Sequence, residues 1–298
     1  MKKISISDLI FDIFKWVFLV FFIAATLYPI LNTVAVALND GMDTLRGGIY
    51  LLPRKFTLDN FKSVLTRPSL LNAAFISVAR TVIATLTQTF LTALLAYILS
   101  RKEFIFRVPI TLLVILTMYL NAGMIPGYIW NQKLGLLNTF WVYVIPGIIS
   151  AFNFLVVRTY INGLPDSFVE SAKIDGAGHL RIFWSIILPL CKPVLATVAL
   201  FIAVGQWNSW FDAMLFNGFN DNLSTLQYEL MKLLSSVTSQ GANADSMRNA
   251  AEAGNSTMVT PASVRAATTI VTAFPIVCLY PFLQKYFVSG LTIGGVKG

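Results

Sequence analysis

Six stretches of this sequence contain no Asp, Glu, Lys or Arg, and each is long enough to cross a lipid bilayer as a helix. They cover residues 16–39, 81–100, 108–132, 134–157, 193–211 and 266–284 and hold 19 to 25 residues each. About 20 helical residues span the hydrocarbon core. Lipid offers no hydrogen bonds, so a backbone inside it must satisfy its own polar groups, which only helices and closed barrels do. Barrel strands would alternate in segments of about ten residues, a pattern these runs lack. Charged residues make up 12% of the chain, against roughly a quarter in soluble domains. The expected fold class is therefore an all-α integral membrane protein, with six transmembrane helices forming a single domain over residues 1–298.

Six crossings put both termini on one side. Lys2-Lys3 and the compact "RKEFIFR" (Arg101 to Arg107) mark that side as cytoplasmic, since basic residues in short loops beside span ends set orientation. The first outer loop opposes this with Arg46, Arg54, Lys55, Lys62 and Arg67. It also holds Asp40, Asp43 and Asp59, and longer translocated segments obey the rule less. The net charge of +8 belongs to this topology and to anionic headgroups, not to nucleic acid. Lys2-Lys3 and Ala35-Val36-Ala37 imitate a cleaved signal peptide, but the apolar run exceeds the ~7–15 residues of a signal core, so an uncleaved first helix is expected. Cys191 and Cys278 fall at or within apolar runs and read as packing residues.

Two outer loops stand out. In "FTLDNFKSVL" (Phe56 to Leu65), Leu58, Phe61 and Leu65 form one stripe of a short helix with Thr57 as its cap. It suits either the headgroup layer or an extracellular partner. Residues 212–261 form an extracellular insert containing the polar, small-residue "SSVTSQGANADSMRNAAEAGNSTMVTP". A docking or capping role and a surface insertion both fit it.

Phosphate loops of the GxxxxGK[ST] type, HExxH zinc sites and nucleophile elbows are absent from the sequence, and a lone histidine, His179, excludes a two-histidine site. No carboxylate sits centrally in a run, as a proton relay would require. Arg80 lies at the outer entrance of the second helix, where it is expected to snorkel to the interface. A transporter built this way draws its energy from another subunit. The chain itself binds no cofactor on this reading.

Residues 163–190 break the apolar pattern. "LPDSFVESAKIDGAGHL" reads as a short helix, about Phe168 to Asp175. Asp166 or Ser167 caps it, Ser167-x-x-Glu170 makes a capping box, and Gly176 and Gly178 offer left-handed stops. Too short to be stable alone and too charged to span, such a helix needs a groove to hold it. "LRIFWSIILPLCKP" then climbs back toward the membrane.

Glu170, Ala172, Gly176, Ile186, Leu188 and Pro189 meet the spacing E-x-A-x3-G-x9-I-x-L-P. This resembles the EAA loop of ABC-importer permeases, with Ser171 where the family usually has alanine. The C-terminal "YPFLQKYFVSGLTIGGVKG", with "LGLLNT", Trp207-Asn208 and "LDNF" as weaker features, is similar to the MalG-like carbohydrate permeases, over nearly the whole chain. The long polar insert departs from the maltose-type members and resembles a branch for complex or plant-polysaccharide oligosaccharides.

The resemblance implies that the loop between helices 4 and 5 is a cytoplasmic coupling helix docking on an ATPase. It would do so through Glu170, Ser171, Ala172, Asp175, Gly176, Ala177 and Gly178, with Gly294, Gly295 and Lys297 of the tail as secondary contacts. It also implies four kinds of partner: a homologous second permease, two copies of a cytoplasmic ATPase that bind ATP and Mg, an extracellular solute-binding protein, and a sugar or oligosaccharide cargo. The location implied is the bacterial cytoplasmic membrane, with both termini cytoplasmic.

For a sugar path, the polar and aromatic candidates within the runs are Gln88, Tyr119, Asn121, Asn153, Gln206, Trp207 and Asn208. Amides between helices equally serve as packing glue. Rival readings keep the machine but change the cargo to a solute such as glycerol phosphate, or change the class to an ion-coupled secondary transporter or a membrane-embedded enzyme.

Overall fold

A computed structural model describes residues 6–120, 122–240 and 259–292, with side chains from 9 to 235 and from 259 to 278. Among the described residues every regular element is helical, apart from one isolated bridge between Asn39 and Phe56. In chain order the helices are α1 (Ile6–Ala37), α2 (Gly41–Leu45), α3 (Asp59–Leu65), α4 (Pro68–Ser100), α5 (Arg107–Tyr119), α6 (Met124–Lys133) and α7 (Ala151–Asn162). There follow α8 (Ser167–Ile174), α9 (His179–Ile182), α10 (Leu188–Leu190), α11 (Lys192–Asn208), α12 (Phe211–Asn217), α13 (Leu226–Gln240) and α14 (Pro261–Thr292). The chain divides into two compact units, residues 1–70 with 230–274, and residues 71–229 with 275–298.

Among the described residues three helices are long and apolar enough to cross a membrane: α1 from Leu9, α4, and α14 as far as Cys278. The segment His179–Leu190 and α11, bent by 80° at their junction, make a fourth if counted together. The runs at 108–132 and 134–157 are not single helices, which is where the structure departs from six continuous spans. In the first, α5 ends at Tyr119, Leu120 is extended, and Gly123 at φ 89° precedes α6. In the second, Gly135 and Asn138 adopt positive φ and a 3-10 turn occupies Phe140–Tyr143 before α7 begins. Charge-free composition does not register such breaks. The 13 residues of α5 reach only about 20 Å, short of a ~30 Å core.

In the first unit, polar side chains organise the loop after α1. Asn60 of α3 is buried, and its Nδ2 donates to the carbonyls of Ala37 (2.9 Å) and Asn39 (2.8 Å), satisfying the otherwise orphaned end of α1. Asp40 caps α2 by accepting from the amides of Met42 and Asp43, both at 3.0 Å. Thr57 accepts from the Asp59 amide at 3.1 Å, close to the expected cap of α3. The buried face of α3 is Asn60 and Val64, whereas Leu58 and Leu65 of the expected stripe are exposed. The chain needs α3 as a clamp on α1, and that need selects the amide face. Of the insert at 212–261, α12, a 3-10 turn at Asp221–Leu223, α13 and the start of α14 are described, and residues 241–258 lie outside the described residues.

The second unit has an apolar core in which Ala96 and Leu99 of α4, Phe154, Val157 and Ile161 of α7, and Val194 and Val198 of α11 pack together. A polar node lies beside a smaller cluster. Arg80 does not snorkel: it is 1% exposed. Its guanidinium binds Asp212 (2.5 and 3.2 Å) and the Gln206 amide oxygen (2.7 and 3.1 Å), and stacks over the Tyr143 ring at 4.3 Å. The start of α12 brings Asp212 within reach, and a paired guanidinium tolerates burial that a free one would not.

Candidate functional site

The loop at 163–190 lies wholly within the second unit and is rigidly built. α8 covers Ser167–Ile174, within one residue of the helix expected at each end. Its end is a Schellman motif: the Ala177 amide bonds the Ala172 carbonyl (2.9 Å) and the Gly176 amide bonds the Lys173 carbonyl (3.0 Å). Gly176 carries the left-handed residue this motif requires, with φ 78°. Gly178 does not stop the helix; its φ is −72° and it precedes α9 in extended conformation. The expected capping box is also not formed. No side chain caps α8, because Asp166 turns its carboxylate to Lys102 at 2.9 Å instead.

Three sets of contacts hold this loop. Val169 is the one buried residue of α8, and it joins the core made by α4, α7 and Ile182, with Ala172 and Ala177 packed at its edge. Two ion pairs then clasp α8 to the 101–107 turn: Lys102 with Asp166, and Lys173 with Glu103. The hydrogen-bonded Lys173 ammonium holds the Glu103 carboxyl below its usual range, and Lys102 does the same for Asp166. Finally, the Tyr97 hydroxyl meets His179 Nδ1 at 3.1 Å, while Phe183 packs on the Tyr97 ring at 5.5 Å. A π-helical turn at Phe183–Ile187 and α10 complete the return to α11. The Tyr160 hydroxyl closes the corner on the Leu190 carbonyl at 3.3 Å.

With one side so committed, the other is bare. Glu170, Ser171, Asp175, Gly176 and Gly178 are exposed, and Glu170 makes no ion pair among the described residues. Apolar side chains share this surface: Ile174 is 87% exposed and Leu180 72%. Neither was among the docking candidates, although a large aliphatic residue inside a charged, glycine-ended loop was the signal that could have found them. Ala172 and Ala177 face the core and support the helix from within. Ser171, the departure from the family pattern, sits on the exposed side, where its hydroxyl needs no partner in the chain.

The other candidates among the described residues are spread over α4, α5, α7 and α11. Gln88 is buried and donates to the Val144 carbonyl at 3.4 Å, and Asn153 is buried near the start of α7. Trp207 is buried in α11, with Asn208 exposed beside it and Gln206 engaged by Arg80. Tyr119 is exposed at the end of α5. Asn121, Gly294, Gly295 and Lys297 lie outside the described residues.

Comparison with known proteins agrees with this architecture. Residues 73–293 match the model for the binding-protein-dependent transport system inner membrane component family. The chain is 38% identical over 293 residues to the protein LplC of Bacillus subtilis, covering 97% of this chain and 95% of that one. It is 33% identical over 290 residues to a polygalacturonan/rhamnogalacturonan transport system permease protein, YtcP, from the same organism, covering 97% and 99%. A chain of a bacterial ABC transporter involved in the import of the acidic polysaccharide alginate superposes with a TM-score of 0.86 at 29% identity, over 96% of this chain and 100% of that one. With most of its length matched in both sequence and fold, the chain belongs to the family of inner membrane components of binding-protein-dependent transport systems.

Proposed function

We propose that this chain is the permease subunit of an ATP-driven ABC importer and forms half of the pathway for an oligosaccharide, with α8 as its coupling helix. The observation that carries this reading is the one-sided construction of α8. Its inner face is fixed by Val169 and two ion pairs, while Glu170, Ile174 and Leu180 have nothing to meet within the chain's described residues. A short, rigid, partly apolar element of this kind suits the groove of a soluble partner.

In the importer, a second permease completes the pathway, two cytoplasmic ATPases bind ATP and Mg2+, and a solute-binding protein delivers cargo. α5 with α6, and α7 with the irregular segment before it, complete six crossings, the termini being cytoplasmic. Broken helices in membranes are tolerated where they line a cavity or are buried in protein. A relative named for polygalacturonan and rhamnogalacturonan transport and a structural neighbour involved in alginate import support a complex glycan as cargo.

The test is a reconstituted importer carrying Glu170→Lys. ATP hydrolysis should continue while glycan uptake per ATP falls by at least tenfold, with the subunit still inserted. Full uptake by this variant would remove α8 from the coupling role.

A further inference from the structure

The chain leaves α1 at Ala37 but soon returns alongside it. After α2, consecutive left-handed glycines, Gly47 and Gly48, both at φ 73°, reverse its direction. Arg54 fixes the reversal, donating to the Gly47 carbonyl (2.6 Å), the Asp43 carbonyl (3.1 Å) and the Asp43 carboxylate (3.0 Å). The returning segment is held by Asn32 of α1, whose Nδ2 donates to the carbonyls of Ile49 (2.8 Å) and Tyr50 (2.9 Å). Asn32 lies five residues before the helix end, roughly 7.5 Å back along the axis. All of these residues belong to the first compact unit.

The tip that this clamp positions is apolar and uncovered by the described residues. Ile49 is buried, whereas Tyr50, Leu51 and Leu52 are 65%, 53% and 79% exposed. Ile30 and Leu31, at the same level on α1, are exposed as well. The hydrogen bonding fits lipid better than water. An asparagine amide and backbone carbonyls at this depth would each be costly if unpaired in hydrocarbon, and here they satisfy one another. Exposed Arg46 and Lys55 flank the tip, where headgroup phosphates would meet them.

We propose that Tyr50, Leu51 and Leu52 form a membrane anchor that inserts among the lipid acyl chains of the leaflet at the C-terminal end of α1, with Asn32 setting its depth. Tyrosine suits the headgroup boundary, and the two leucines suit the chains beneath. The proposal requires only that α1 crosses the bilayer, and it is independent of what the protein transports.

Spin labels read this directly. The full chain would carry Cys278→Ser, leaving Cys191 buried, and would be reconstituted in phosphatidylethanolamine–phosphatidylglycerol vesicles with a nitroxide at Leu52→Cys. Collisions with oxygen should exceed those with a nickel chelate, at a depth within one helical turn, ~5 Å, of a label at Leu31→Cys. A label at Lys62→Cys should favour the chelate, and one at Phe21→Cys should favour oxygen, confirming that α1 is in the bilayer. Asn32→Ala should move the Leu52 label toward water by a similar distance, and an unchanged depth would remove Asn32 from its role. If that variant yields no protein, the reading with Asn32 intact decides. Preference for the chelate at Leu52 would overturn the anchor, and so would shielding from both reagents, which would mean that another subunit covers the tip.

Discussion

Position 176 closes α8 with φ 78°, a conformation in which a Cβ crowds the following carbonyl, although no other atom lies within 4 Å of where that Cβ would stand. Gly178, two residues on, has equally open surroundings but an ordinary φ of −72°. Backbone strain alone therefore separates them. Gly176→Ala should destabilise the second unit by about 1–2 kcal/mol and Gly178→Ala by less than about 0.5, read as the order of thermal unfolding in detergent. Equal losses would mean that the positive φ at Gly176 adds no strain for a side chain. At Arg80 the issue is charge. Removing Arg80 takes the ion-pair partner from an Asp212 carboxylate that is 23% exposed and keeps its bonds from Ser209 and the Ala213 amide. Arg80→Leu should therefore cost about 2 kcal/mol. The double change Arg80→Leu with Asp212→Leu should recover much of that loss. A double variant no more stable than the single would show that Gln206 and Tyr143, not the ion pair, hold the node.

At the scale of elements, α8 is attached by groups whose charge depends on pH. The lowered pKa values of Glu103 and Asp166 mean that these carboxylates favour the docked state once ionised. Their contribution is complete above the ordinary carboxyl range, near 4, and disappears as pH falls through the lowered values. Both pairs are well exposed, so salt screens them too. Amide exchange in residues 101–107 and 166–176, corrected for intrinsic rate, should show constant protection from pH 5 to 8. Protection should decline below pH 4 and weaken in 1 M salt, and indifference to both would assign the docking to Val169 alone. These attachments mark where sequence reasoning reaches. Local chemistry within a dozen residues was readable: α8 follows from its glycine end and its charged, non-spanning composition. Asp166 was expected to cap and instead bonds Lys102, 64 residues away in sequence, a contact that no local pattern encodes. The same limit explains Arg80, whose carboxylate lies 132 residues away. It explains α3 too, where an amide that closes α1 outweighs the apolar stripe. The broken helices are foreshadowed by Pro126 and by Pro146-Gly147, which lies in the irregular segment before α7, but the positive φ angles at Gly123 and Asn138 are not recorded in a charge-free run.

For the whole molecule, the question in the proposed importer is how a push on α8 reaches the spans. Val169 is the one buried side chain of α8, and it joins a core made by residues of α4, α7 and the segment leading into α11, with Ala172 packed at the edge. Packed interiors transmit displacement because they contain few voids. Two failures can then be separated. Ile174→Asp alters only the bare face, and it should weaken capture of the ATPase while leaving α8 docked. Val169→Ala leaves that face intact but removes two buried carbon atoms, a loss of about 1.5 kcal/mol, which makes the undocked population of α8 roughly tenfold larger. The ATPase should therefore still co-purify with the Val169→Ala subunit and still hydrolyse ATP, while cargo moved per ATP falls. In the Ile174→Asp subunit, co-purification itself should fall, together with any ATP hydrolysis the subunit stimulates. If Val169→Ala instead released the ATPase, α8 would be a passive tether whose position is set by the partner, and the apolar core around Val169 would not be the route by which force enters the membrane.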